Sequence, residues 1–264
     1  MTAPSTPTTV AVQRASGRAR CRFVPGAFGP RVQGGDANGA RVALVAAGAL
    51  LLGGDDVVID LEVGAGAWLE IVETAGTVAY DAAGRASSWT VRARLGAGAT
   101  LVWDGLPFVV ADGADVTRRT ELMLERGARV VLRETLVLGR SGERGGAGRS
   151  YTVAMLEERP LLVEDLDLSP RVRALPGVVG SHRVMDSVLA LGWRPEATPG
   201  VRDGAYRFEL DGPGTLVRWL GGELHRSGAV DEHVAAWGAP GGGPPPRPPP
   251  PRGGGQEIGA QAGA

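Results

Sequence analysis

Apolar and polar residues alternate along most of this chain, and three stretches repeat the same alternation around the same corner. Each copy reads apolar, any, apolar, two turn residues, Gly-Ala, any, apolar, any, apolar. The first has Leu61, Val63, Gly66-Ala67, Leu69 and Ile71; the second Ala93, Leu95, Gly98-Ala99, Leu101 and Trp103; the third Leu122, Leu124, Gly127-Ala128, Val130 and Leu132. A period of two on either side of the corner predicts half-buried strands. The Gly supplies the backbone freedom that a tight connection needs. The pattern predicts three β-hairpins of one architecture.

Strand patterns dominate the central chain: Arg41 to Leu44, Val57 to Val63, Trp68 to Val72, Trp89 to Leu95, Thr100 to Trp103, Thr117 to Leu124 and Arg129 to Leu138. Turn clusters such as Gly53-Gly54-Asp55-Asp56 and Asp112-Gly113-Ala114-Asp115 separate them at all-β spacing. Gly142 to Gly148 reads as a mobile, Gly-rich loop. Strand signals return at Ser150 to Met155, Pro160 to Leu168 and Tyr206 to Leu210, while Arg183 to Ala190 fits a short helix or a strand. Pro213 to Leu220 and Ala229 to Trp237 are the helix candidates, with Ser227 placed to cap the second. Residues 1–18 are small, polar and without period, which predicts a disordered start. Residues 239–264 are Gly and Pro in blocks and cannot build a core. They predict a disordered tail of polyproline character, a spacer or an SH3 or WW ligand. One mainly β domain is expected at 19–238.

A net charge of -1 removes the electrostatic case for nucleic acid or an anionic membrane surface. Every basic residue is Arg, so the chain has neither a Walker A phosphate loop nor a Schiff-base lysine. Cys21 is the only cysteine, which excludes an internal disulfide and a thiolate cluster. The absence of a long apolar run and of signal-peptide regions predicts a cytoplasmic protein. No nucleophile elbow, zincin motif, Cys-x-x-Cys or dinucleotide fingerprint occurs. His182, His225 and His233 are scattered and read as solvated or core histidines.

Carboxylates offer more. Aligning the first and third repeats sets Glu73-Thr74 on Glu134-Thr135, each pair directly after the second strand of its repeat, while Asp104 follows the middle repeat one register earlier. Strand ends reach solvent, where a carboxylate is ordinary. Alternatively the repeats bring several carboxylates into one interior path. Carboxylate oxygens pass a divalent ion weakly where thiolates and imidazoles would hold it.

The runs Gly53-Gly54-Asp55-Asp56-Val57-Val58-Ile59-Asp60, Val63-Gly64-Ala65-Gly66-Ala67 and Glu73-Thr74-Ala75-Gly76-Thr77-Val78-Ala79-Tyr80 resemble the urease accessory protein D family, called H in some bacteria. So do Trp103-Asp104-Gly105-Leu106-Pro107-Phe108, Glu134-Thr135-Leu136-Val137-Leu138-Gly139-Arg140 and Pro160-Leu161-Leu162-Val163-Glu164-Asp165. The six runs stand in order between Leu44 and Leu168. The pattern is that of the actinobacterial branch. It departs at Glu73 and Ala79 from the family's Thr-Thr-Gln-Ala-Ala-Thr-Lys-Val-Tyr, so channel residues carry over there only at Thr74, Thr77 and Tyr80.

The resemblance implies an elongated, β-helix-like body with two helices. It also implies a non-catalytic maturation factor that binds apo-urease and the F accessory protein, and through it the GTPase G protein. The assembly inserts nickel into urease with carbon dioxide that carbamylates the active-site lysine, and nickel passes along an internal channel of the D protein. Asp55, Glu134 and Arg140 also carry over. Asp55 could instead serve as a turn residue, and Arg140 as partner of a buried carboxylate.

Three functional readings follow. In the first, Asp55, Glu73, Glu134 and Glu164 line a polar route for nickel in transit, with no tightly bound cofactor, and the C-terminal helices and apolar surface dock partners. The second is a pure protein–protein adaptor with no metal route. The third is a β-helix hydrolase working with two carboxylates, which no pair's spacing singles out.

Overall fold

The computed structural model describes residues 6–195 and 204–238. In chain order the strands are β1 (Thr8–Gln13), β2 (Arg20–Val24), β3 (Phe28–Gly35), β4 (Gly39–Ala46), β5 (Asp56–Val63), β6 (Trp68–Glu73), β7 (Thr77–Ala79), β8 (Ser87–Leu95) and β9 (Thr100–Asp104). They continue with β10 (Phe108–Val110), β11 (Asp115–Leu124), β12 (Arg129–Leu138), β13 (Ala147–Leu156), β14 (Arg159–Asp167), β15 (Val184–Leu191), β16 (Ala205–Glu209) and β17 (Gly214–Gly221). Two α-helices, α1 (Pro170–Arg173) and α2 (Gly228–Gly238), complete the set with a 3-10 turn at Leu224–Arg226.

The strands form two sheets. One is seven-stranded, in the order β14-β13-β11-β8-β5-β1-β2; the other is ten-stranded, following β16-β17-β15-β12-β9-β6-β4-β3 with β10 and β7 beside that path. Their inner faces enclose the main core, in which Leu61, Leu69, Ile71, Leu101 and Leu122 are at most 1% exposed. Truncating any one of them to Ala would cost about 2–5 kcal/mol. Trp89 stands between the sheets, edge-on to Phe28 and to Phe108 with ring centroids 5.7 Å apart in each case. A second core, including Val131, Val188, Val217, Val234 and Trp237, lies between the outer face of the larger sheet and α2. Among the described residues no helix is long and apolar enough to cross a membrane.

The three repeats are not hairpins. β5 does not pair with β6: it runs parallel to β1 and to β8, while β6 runs parallel to β4 and β9 in the opposite sheet. Each Gly-Ala corner therefore carries the chain from one sheet to the other, and successive copies stack in parallel as coils of a β-helix-like body. A period of two fits either arrangement, because both put the apolar set on one face; only the pairing partner distinguishes them. Gly66, Gly98 and Gly127 take φ of 64°, 65° and 73°, the left-handed region a side chain resists. The Ala after each is buried, and the corners bond to one another, Gly66 N–H to Ala97 O and Gly98 N–H to Arg126 O.

Other expectations are corrected. Residues 1–18 are not a disordered start throughout: Thr8–Gln13 is β1, and Val10 and Val12 are fully buried. Pro213 to Leu220 is no helix but strand β17, held between β15 and β16. The stretch from Arg183 to Ala190 resolves as strand β15 (Val184–Leu191), whose every residue is buried. Ser227 directly precedes α2, and its Oγ donates to Leu224 O at 2.9 Å. The Gly142 to Gly148 loop is tied down, because Arg173 donates to the carbonyls of Arg144, Gly145, Gly146 and Leu168 at 2.6–3.3 Å. Asp112 also accepts from the N–H groups of Arg144 and Gly145. The expected tail at 239–264 lies outside the described residues.

Candidate functional site

The larger sheet sets two glutamates in one interior row. Ile71, Trp103 and Leu132 are in register across β6, β9 and β12, with their side chains in the main core. Two residues further along each strand, on the same face, stand Glu73, Gly105 and Glu134. Gly105 contributes no side chain, and a Cβ there would lie 2.5 Å from Arg133 O. The space it leaves is part of a cavity of about 20 Å³, room for about one water. Arg118 and Thr120 close that cavity from β11 in the opposite sheet, with Thr77, Trp89 and Phe108 on its walls.

The two glutamates differ in their surroundings. Glu73 accepts from Trp103 Nε1 at 2.7 Å and from the Leu106 N–H at 3.2 Å. Burial pushes its carboxyl above the usual range, and these two hydrogen bonds with the charge of Arg118 offset only part of that rise. Glu134 Oε1 accepts from Thr120 Oγ1 at 2.9 Å and meets Arg118 Nη2, also at 2.9 Å. The Arg118 guanidinium lies over the Phe108 ring, 5.5 Å from its centroid.

From the cavity a file of polar side chains continues through the apolar core. Glu134 is paired in register with Ser187, and Ser187 with Arg218, across β12, β15 and β17. On the facing sheet Thr120, Thr152 and Glu164 are in register across β11, β13 and β14. Thr120, Thr152 and Ser187 are each at most 3% exposed. At the far end Arg218 joins the two rows. Its Nη1 and Nη2 donate to the two oxygens of Glu164 at 2.7 and 2.8 Å, and its Nε donates to Ser187 Oγ at 2.9 Å.

The remaining expected residues stand elsewhere. Asp55 is a turn residue: its Oδ2 accepts from the Leu52 N–H at 2.9 Å, and it does not line the cavity. Thr74 is exposed and donates to Leu44 O at 3.2 Å, and Tyr80 is exposed at the surface. Arg140 has no buried carboxylate as partner; it pairs with Glu143 of its own loop, whose carboxyl its hydrogen bonds draw down to about 2. Of the eight residues expected from sequence, Glu73, Thr77 and Glu134 meet at the cavity and Glu164 ends the file. Asp104 turns to the opposite face of the larger sheet.

There Arg133 donates from Nε and Nη2 to Asp186 at 3.0 and 2.7 Å, and from Nη1 to Asp104 at 3.4 Å and to Asp231 of α2 at 2.6 Å. Burial opposes the Arg133 charge, and the bonds and charge of Asp186, with Asp231 and Asp104, more than restore it. Asp186 is fully buried and also accepts from Thr135 Oγ1 at 2.8 Å. This network pins α2 to the sheet. Among the described residues no three His, Cys, Asp or Glu side chains are grouped to hold a metal ion. Two carboxylates and two hydroxyls at one cavity are hard oxygen donors suited to brief occupancy by a cation.

Sequence reasoning missed Arg118, Thr120, Thr152, Ser187 and Arg218. A signal for Thr120, Ser187 and Arg218 exists in the alternation. Thr120 precedes Leu122 and Leu124 in the inward phase, Ser187 sits between Met185 and Leu189, and Arg218 between Leu216 and Leu220. A polar residue in phase with neighbouring core residues two positions away faces the core.

Two stacked sheets enclosing a charged, hydrogen-bonded file define a β-helix-like body. The family described as UreD urease accessory protein matches residues 24–248. The chain is 52% identical over 221 residues to urease accessory protein UreD 1 of Streptomyces griseus, covering 82% of this chain and 85% of that one. It is 35% identical to urease accessory protein UreD of Parafrankia sp., over 71% of this chain and 72% of the relative. With that of Frankia alni it shares 35% identity, over 73% and 72%. The chain belongs to the UreD family of urease accessory proteins.

Proposed function

We propose that this chain is a cytoplasmic maturation factor that docks on apo-urease and on the F and G accessory proteins, and that nickel crosses its interior along the polar file. The observation that carries the reading is the file itself. A core that could be wholly apolar instead keeps Glu134, Ser187 and Arg218 in register on one sheet and Thr120, Thr152 and Glu164 in register on the other, with Glu73 at the cavity where the two rows begin. Burying such groups costs free energy even when they are paired, so a role beyond stability accounts for them best. Their oxygens coordinate a divalent cation weakly, which suits passage over storage.

The test is Glu134→Gln, expressed with urease and its accessory proteins. Nickel per urease active site should fall while the accessory complex is recovered intact. Unchanged nickel removes Glu134 from the route. A second reading, a docking body without a metal route, draws on one observation: Glu134 and Glu164 are both already neutralised by arginines. Under it both carboxylate variants load urease normally, and only surface changes break assembly.

A further inference from the structure

We infer that Arg118 is a displaceable counter-ion that keeps the interior route closed until a divalent cation takes its place. The inference rests on the nickel-route reading above and concerns how that route avoids leaving a bare charge in the core.

The buried arginines of this protein are not held alike. Arg173 makes four hydrogen bonds to carbonyls, and Arg218 and Arg133 each use all three guanidinium nitrogens. Arg118 uses one. Its Nη2 reaches Glu134, whereas its Nε and Nη1 are buried with no hydrogen-bond partner. Its guanidinium also lies over the face of Phe108, and its charge acts on Glu73 across the cavity. A buried N–H without an acceptor is unfavourable, and two on one side chain mark a group kept in place by charge and not by its fit. Arg118 is thus the most easily released of these cations, and it forms part of the wall of the cavity that Glu73, Glu134 and Thr120 share.

Its location decides what displaces it. The cavity has room for one small occupant, and its oxygen donors favour a hard or borderline cation. A guanidinium and a divalent ion repel each other across so short a span, so they cannot both serve Glu134. Arrival of the ion supplies the compensation that Arg118 gave, and Arg118 lets go of Glu134 while its guanidinium keeps the face of Phe108. Departure of the ion returns Arg118 to Glu134. At neither stage is Glu134 a buried and uncompensated charge, the state that would cost most. The exchange makes and breaks only ion contacts and needs no co-reactant.

The experiment is calorimetric titration of the full-length chain with nickel chloride alone, comparing the parent protein with Arg118→Met, Arg118→Gln and Arg118→Lys. Both neutral variants should bind one nickel ion at least tenfold more tightly than the parent, Arg118→Lys should stay within threefold of it, and adding Glu134→Gln to Arg118→Met should abolish the gain. Equal affinity in parent and neutral variants overturns the inference, as does a gain that survives Glu134→Gln. If neither neutral variant folds, Arg118 is a structural brace and the inference is likewise overturned. The route is judged separately, by urease nickel content with Glu134→Gln. Lost loading there with unchanged affinity in the neutral Arg118 variants removes the gate and leaves the route; unchanged loading removes the route whatever the titration gives.

Discussion

The Glu164–Arg218 pair offers a direct measure of how the polar file is built into the fold. Arg218→Met removes three hydrogen bonds and leaves the Glu164 carboxylate without its counter-ion. Stranding a fully buried charge costs about 3–5 kcal/mol. Here the Arg218 and Glu164 side chains are 17% and 23% exposed, so water reaches the stranded group and the loss should be about 2–3 kcal/mol. Glu164→Leu strands Arg218 and should cost a similar amount. The double variant leaves two apolar chains of matching length between the sheets and should fall within about 1 kcal/mol of the parent. Urea unfolding of the four proteins, with equal slopes, gives the coupling by difference. A domain of this size loses about 2–4 °C per kcal/mol, so each single variant should melt about 4–12 °C lower. Coupling below about 0.5 kcal/mol, or a double variant as unstable as the two losses summed, refutes the claim that this pair joins the two rows.

Glu73→Gln tests the burial of its carboxyl. Because burial raises the folded-state pKa, the folded protein holds the proton more tightly than the unfolded chain. Stability is therefore full below the ordinary carboxylate range and declines as pH rises through the raised value. Gln keeps an acceptor for Trp103 and Leu106 without the charge, so at neutral pH the variant should melt at or above the parent, and the difference should shrink toward acid. A difference that does not vary with pH refutes it. Gly105→Ala sets a Cβ 2.5 Å from Arg133 O, which forces the backbone at the cavity to shift; chemical denaturation should show a loss of about 1–3 kcal/mol, and parental stability would contradict the packing described.

Much of the body was legible in the chain. The strands that flank the Gly-Ala corners are found within a few residues of where the alternation places them, because period two is dictated by the pleat. What alternation does not encode is the partner of each strand. Corners that look like hairpin turns proved to join opposite sheets, a distinction that lies in contacts between coils and not within one repeat. β1 was overlooked because Thr8 to Gln13 is short and sits among small polar residues, although Val10 and Val12 are fully buried. β17 was misread because Pro213 and the run after it mimic a helix start, whereas Arg218 faces inward to meet a carboxylate from the other sheet.

Glu73 and Glu134 are legible as a pair because the repeat carries both to the same height at one cavity, and Glu164 because it stands in a resemblance motif. Their partners were not found, since Arg118 and Arg218 come from strands far off in sequence and read as ordinary surface arginines. Asp55 and Arg140 look alike to any reader of sequence, being charged residues at strand ends. Local hydrogen bonds to Leu52 and Glu143 account for both.

The central claim is that this file of side chains conducts nickel. It is tested most directly by metal analysis of urease matured beside the Glu73→Gln/Glu134→Gln double variant, with recovery of the accessory complex measured in the same cells. The account predicts an intact complex and urease with at most about a tenth of its nickel, a loss that corresponds to roughly 1.4 kcal/mol or more on delivery. Urease fully loaded with nickel beside that variant would contradict it.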